Sequence, residues 1–143
     1  MKKLLFIMFL AVIALVGCSE EKKEYSEGLK GKIEKHVDDN YDDTSIDEIK
    51  INDDAGKGEG KIVLAYLSFD RSNKAKTAKD MIDMYAEDLA ATLAKEKEVN
   101  EVTVFWTVPY LKEDEVIAKI NSVRKGDSMQ AGDEVYDPEI FKE

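Results

Sequence analysis

The chain predicts an α+β fold, an N-terminal helix and one long helix packed on a small antiparallel sheet, in the order α-β-β-α-β-β. Three observations carry this. From Lys74 to Lys95 apolar residues return at helical spacing over several turns. From Glu101 to Val108 they alternate with a period of two, the mark of a strand. Ahead of both, Ile62 to Phe69 is apolar at nearly every position and β-branched at its start, as a central strand is. Such an order builds one helix-covered antiparallel sheet.

Each element can be read in turn. Tyr25, Leu29, Ile33 and Val37 recur every fourth residue and predict a helix from about Tyr25 to Val37, weakened by Gly28 and Gly31, each costing about 1 kcal/mol relative to Ala. Asp38-Asp39-Asn40-Tyr41-Asp42-Asp43 should end it as an acidic loop. Thr44 to Asn52 alternates, Ile49 and Ile51 against Glu48 and Lys50, and predicts a half-buried strand. The Gly- and Asp-rich segment Asn52 to Gly60 then turns the chain into the Ile62 strand as a hairpin. Ser72 or Asn73 is placed to cap the long helix, whose stripe is Ala78, Ile82, Tyr85, Leu89 and Leu93. In the next strand Val102, Val104, Trp106 and Val108 face one way and Thr103, Phe105 and Thr107 the other, until Pro109 stops the ladder. Glu115 to Arg124 fits a helix through Val116, Ile120 and Val123, or a strand through Val116, Ala118 and Ile120. The strand is favoured because a short loop would pair it with the Trp106 strand. Lys125-Gly126-Asp127 is a turn.

The first residues have another character. Lys2 and Lys3 precede an unbroken apolar run from Leu4 to Val16, too short for a comfortable membrane span, and this reads as a signal peptide. Leu15-Val16-Gly17-Cys18-Ser19 follows, and it resembles the lipobox of bacterial lipoproteins. The resemblance covers residues 1 to about 20. It implies diacylglycerol joined by a thioether to Cys18 and cleavage by a dedicated signal peptidase between Gly17 and Cys18. The chemistry suits the residues, since a thiol becomes a nucleophile and Gly17 leaves room at the scissile bond. In general look the chain is similar to small lipoproteins of Gram-positive type whose function is not known, a likeness that carries no site beyond the lipobox. Residues 1–17 are thus expected to be the signal peptide and 18–24, with the charged run Ser19 to Glu24, the lipidated cysteine and a flexible tether. Residues 25–143 are expected to be one acidic domain, lipid-anchored to the cell membrane and facing outside the cytoplasm.

Charge narrows the partners. Without Lys2 and Lys3, 19 of the 21 basic residues remain against 31 acidic ones, a formal charge of −12. Nucleic acid is excluded as a partner, because phosphate binding relies on clustered cations. The same charge opposes lying flat on an anionic lipid surface. Cys18 is the sole cysteine, so the domain must hold together without an internal disulfide.

Candidate chemistry is sparse. His36 is the one histidine; zinc sites built on two histidines and the HExxH motif are excluded, and a lone general base or a helix-end residue are its two readings. Asp38, Asn40 and Asp42 have the spacing of the first EF-hand ligands, but Asp43 stands where that loop needs Gly and Ile49 where it needs a bidentate Glu. That leaves an irregular calcium site or, in better keeping with the composition, a solvated acidic loop. Gly56-Lys57-Gly58-Glu59-Gly60 has the look of a phosphate loop, yet it lies between strands with no helix N-terminus behind it. Trp106 and Tyr66, with Phe69 and Phe105 nearby, are the candidates for a ligand groove, core packing being the plainer role of strand aromatics. No catalytic set, metal or cofactor is expected. The reading is a non-catalytic binding module at the cell envelope, whose partners are the membrane through its lipid and another envelope protein. A small ligand- or ion-binding lipoprotein is the alternative, and a small envelope hydrolase stands last.

Overall fold

A computed structural model describes residues 24–142. Their elements are α1 (Gly28–Asn40), β1 (Thr44–Asp53), β2 (Lys61–Phe69), α2 (Ala75–Leu93), β3 (Val99–Val108), β4 (Lys112–Lys125) and β5 (Ser128–Tyr136). The fold is α+β, and its five strands lie side by side in sequence order.

The sheet is mixed, which corrects the antiparallel expectation. β1–β2, β3–β4 and β4–β5 are antiparallel, but β2 and β3 run parallel, Tyr66 opposite Phe105 and Leu67 opposite Trp106. The cause is α2. Its 19 residues carry the chain back about 28 Å, close to the span of the nine-residue β2, so β3 starts from the end where β2 started. A crossover helix is what a parallel pair requires.

The sheet also has a fifth strand where the sequence reading stopped at a turn. β5, Ser-Met-Gln-Ala-Gly-Asp-Glu-Val-Tyr, is exposed along most of its length and lacks apolar alternation. It forms because Gly126, at φ 61°, lets the chain reverse tightly so that Lys125 pairs with Ser128. The ambiguous segment is strand throughout, extended at both ends to Lys112–Lys125.

Helix ends differ from expectation as well. α1 begins at Gly28 rather than Tyr25 and takes in Asp38, Asp39 and Asn40, which the composition places in the loop. It is closed by the Asn40 amide donating to the His36 carbonyl (2.8 Å) and by the Tyr41 N–H donating to the Val37 carbonyl (2.9 Å). Gly31 has a use there, for the Ser26 carbonyl packs so close that a Cβ would lie 1.5 Å from it. The residue capping α2 is Lys74, not Ser72 or Asn73, and it offers no side-chain cap.

Both helices cover one face of the sheet. Ala78, Ile82, Tyr85, Leu89 and Leu93 of α2 are buried against Val63, Ala65, Leu67 and Phe69 of β2 and Val102, Val104, Trp106 and Val108 of β3, with Ile33 and Val37 of α1 alongside. Tyr41 joins the helices. Its ring stacks on Tyr85 at 4.4 Å, and its hydroxyl donates to the Tyr85 carbonyl and to Asp88 Oδ2, both at 2.9 Å. Burial, reinforced by Asp88, raises this phenol far above its ordinary value, so it remains a donor. Arg124 closes the other end. Its guanidinium donates to the carbonyls of Ala94 (3.0 Å), Glu96 (2.9 Å), Val99 (2.6 Å) and Gly126 (3.2 Å), tying the end of α2 to β3 and to the β4–β5 turn.

Candidate functional site

Among the described residues no helix covers the opposite face of the sheet, and one row of side chains crosses all five strands on it. Glu48 stands opposite Tyr66, Tyr66 opposite Phe105, Phe105 opposite Lys119 and Lys119 opposite Val135. The Tyr66 and Phe105 rings stack at 4.5 Å with planes 7° apart. Lys50 lies 5.3 Å from the centre of Tyr66 and Lys119 5.9 Å from that of Phe105, so the pair is bracketed by ammonium groups. Each ring thus has its face occupied and its edge turned outward. Ring edges carry the positive end of the aromatic quadrupole, which adds to the two cations.

Beside this row lies a groove of about 730 Å³ between Tyr66 and Phe105 and the chain that leaves β5. Val116 (47% exposed) and Val135 (59% exposed) give it two bare apolar side chains. Its end is shaped by Asp137, whose carboxylate accepts from Lys112 Nζ (2.9 Å) and from the Glu139 N–H (2.8 Å). The Lys112 ammonium, also 2.8 Å from Glu115, holds the Asp137 carboxyl below its ordinary value, helped by the Glu139 amide. Tyr136 faces the other way, donating to Asp83 (2.7 Å) and Glu134 (3.2 Å) under Lys79, whose ammonium is 4.0 Å from the ring centre. Lys112, Asp137 and Tyr136 are therefore engaged with one another or with neighbouring acids, while Lys119 makes no ion pair among the described residues. What the groove offers is non-covalent contact: apolar surface, aromatic edges and a cationic rim.

The candidates read from the sequence fall in different places. Trp106 is fully buried under α2, while Tyr66 is on the open face; adjacent registers of the sheet send them to opposite sides, so they line no common groove. Phe69 is likewise buried, and only Phe105 joins Tyr66. Gly17 and Cys18 lie outside the described residues. His36 joins the two helices: Asp88 Oδ2 is 2.7 Å and Thr92 Oγ1 3.3 Å from its Nε2, and Asn40 is 3.3 Å from its Nδ1. A nucleophilic triad needs hydroxyl and carboxylate on different ring nitrogens, and here both use one.

The acidic run does not converge. Asp38 and Asn40 sit in α1, where residues two apart point to opposite sides; Asp39 pairs with Lys35, and Asp43 approaches Arg71 at 3.6 Å. Among the described residues no three His, Cys, Asp or Glu side chains are grouped to hold a cation. In the glycine segment the amides of Gly56, Lys57 and Gly58 are already in use. Gly56 and Lys57 donate to Asp54 Oδ1 (3.1 and 3.2 Å), and Asn100 donates to Asp54 Oδ2 (3.1 Å) and the Glu59 carbonyl (2.9 Å). The chain's own carboxylate thus fills the place a phosphate would take.

Lys50, Lys119, Val116 and Val135 are not among the site residues that the sequence suggests. The signal that bears on them is the second phase of the same alternation that marks the core, with Tyr66 and Phe105 out of step with Leu67 and Trp106. No family model matches the chain, nor does any curated protein or solved structure.

Proposed function

We propose that this chain is a lipid-anchored, non-catalytic interaction module held outside the cytoplasm, and that it meets an envelope component through the open sheet face at Tyr66 and Phe105. The carrying observation is that face itself. Helices cover one side of the sheet, whereas the other keeps a stacked aromatic pair between two lysines next to bare Val116 and Val135. Exposed apolar surface rimmed by polar groups is characteristic of interaction sites. A small-molecule ligand is the second reading, favoured by a groove volume of about 730 Å³, which is within the range of ligand pockets. The anchoring part rests on the lipobox residues Gly17 and Cys18.

Two measurements test the proposal. Cys18→Ser should leave the precursor uncleaved and abolish palmitate labelling; a mutant still processed and labelled refutes the anchor. For the face, a photocrosslinking amino acid at position 105 in cells should yield one discrete adduct with an envelope component. The same group at the exposed Thr77 of α2 should yield none. Equal adducts from both positions, or none from 105, count against this face.

A further inference from the structure

β1 is an edge strand: it pairs with β2 and, among the described residues, with no other strand. Along its outer side runs a second groove, of about 560 Å³, walled by β1 and α1. Six consecutive residues, Thr44 to Ile49, line it on the strand side. Successive strand side chains point to opposite faces, so a groove touching six in a row follows the backbone edge itself. On the helix side Lys30, Glu34 and Asp38 line it, four residues apart and hence one stripe of α1. One end is closed by Glu24 to Ser26, fixed by the Ser26 N–H and Oγ donating to Glu34 (2.9 and 3.2 Å).

An open strand edge facing a helix is the geometry into which an extended peptide adds as a further strand, main-chain hydrogen bonds giving affinity and side-chain contacts giving choice. Six residues of edge span about 20 Å, enough for a peptide of that length. The lining fixes the choice. Glu24, Glu34, Asp38, Asp47 and Glu48 line the groove with Lys30, and with Lys50 3.3 Å from Glu48 counted as well the balance of charge along it stays acidic. A second copy of β1 is a poor occupant, because it would bring its own Asp47, Glu48 and Asp53 against the same acids. The bulge between Ile46 and Glu48 further distorts the edge against indiscriminate pairing.

We propose that a basic, extended segment of another polypeptide adds to β1 along the α1 groove as a sixth strand. The test uses the full chain in detergent micelles and a nine-residue peptide of alternating Lys and Val. NMR should show amide shifts at Thr44–Ile49 and along Lys30–Asp38, with slowed amide exchange on β1. The peptide with Glu in place of Lys should bind at least about tenfold more weakly, and so should the wild-type peptide to Asp47→Lys/Glu48→Lys. Lys30→Glu should tighten binding, a gain that a misfolded variant does not mimic. N-methylation of alternate peptide amides should abolish binding if the backbone edge is used. Undiminished binding of the methylated peptide, shifts elsewhere on the domain, or self-association of the chain through β1 would each overturn the proposal.

Discussion

Replacing Arg124 gives a sharp stability test, because its planar fork reaches carbonyls on three separate pieces of chain. Arg124→Ala removes four hydrogen bonds. The one to Gly126 is exposed and counts for little, while those to Val99, Ala94 and Glu96 are partly buried. At about 1 kcal/mol net for each partly buried bond, the loss is about 3 kcal/mol. Arg124→Lys keeps the charge but offers a point donor in place of a fork; it can hold one of the three carbonyls and should lose about 2 kcal/mol. Trp106, the only tryptophan and fully buried, reports unfolding by fluorescence. With a urea dependence of about 2 kcal/mol/M, the midpoint should fall by about 1.5 M for Ala and about 1 M for Lys. A Lys variant indistinguishable from wild type would refute the reasoning, since charge alone would then suffice.

Three further outcomes are expected. Gly→Ala inside a helix ordinarily stabilises by about 1 kcal/mol, but Gly31→Ala should lower the melting temperature because its Cβ meets the Ser26 carbonyl; Gly56→Ala, whose nearest neighbour would be Asp54 Oδ1 at 3.5 Å, should be close to neutral, and the reverse order in calorimetry would refute this. Tyr41→Phe should cost about 1–2 kcal/mol in the same urea assay, the hydroxyl's bonds to Tyr85 and Asp88 being lost while the stacked ring stays; no change would show those bonds to be idle. Asp137 is held below the ordinary aspartate value of 3.8, so its clasp on Lys112 is in force above that value and is lost as pH falls through the lowered one. Lys112 is raised from 10.5, so its share is in force below 10.5 and is lost only at more alkaline pH. Carboxyl NMR should place the Asp137 midpoint below 3.8 and move it upward in Lys112→Ala; an unmoved midpoint would show that Lys112 is not the cause.

Where periodicity met burial, the chain was legible. The α2 stripe and the Val102–Val108 alternation are buried as read, because an amphipathic pattern has one way of removing its apolar side from water. β5 was illegible for the same reason, since an exposed edge strand needs no apolar phase and only the Gly126 turn announces it. The parallel β2–β3 pair is implicit in a long helix between two strands, whereas the hairpin pattern on either side of that helix points to an antiparallel sheet. Of the expected groove, Tyr66 is on the open face and Trp106 is not. A register difference of one residue between neighbouring strands decided that.

The sequence by itself determined the acidic balance and the amphipathic elements, and the proposal of export and anchoring rests on it alone through Gly17 and Cys18; composition and local spacing are enough for each of these. Only the tertiary structure decided which residues meet. It set Lys50 and Lys119 beside one aromatic pair, brought Arg124 to the end of α2, and put the Lys30–Glu34–Asp38 stripe along a free strand edge. Those pairings join positions far apart in the chain. They are fixed by strand register and helix docking, which local spacing does not encode.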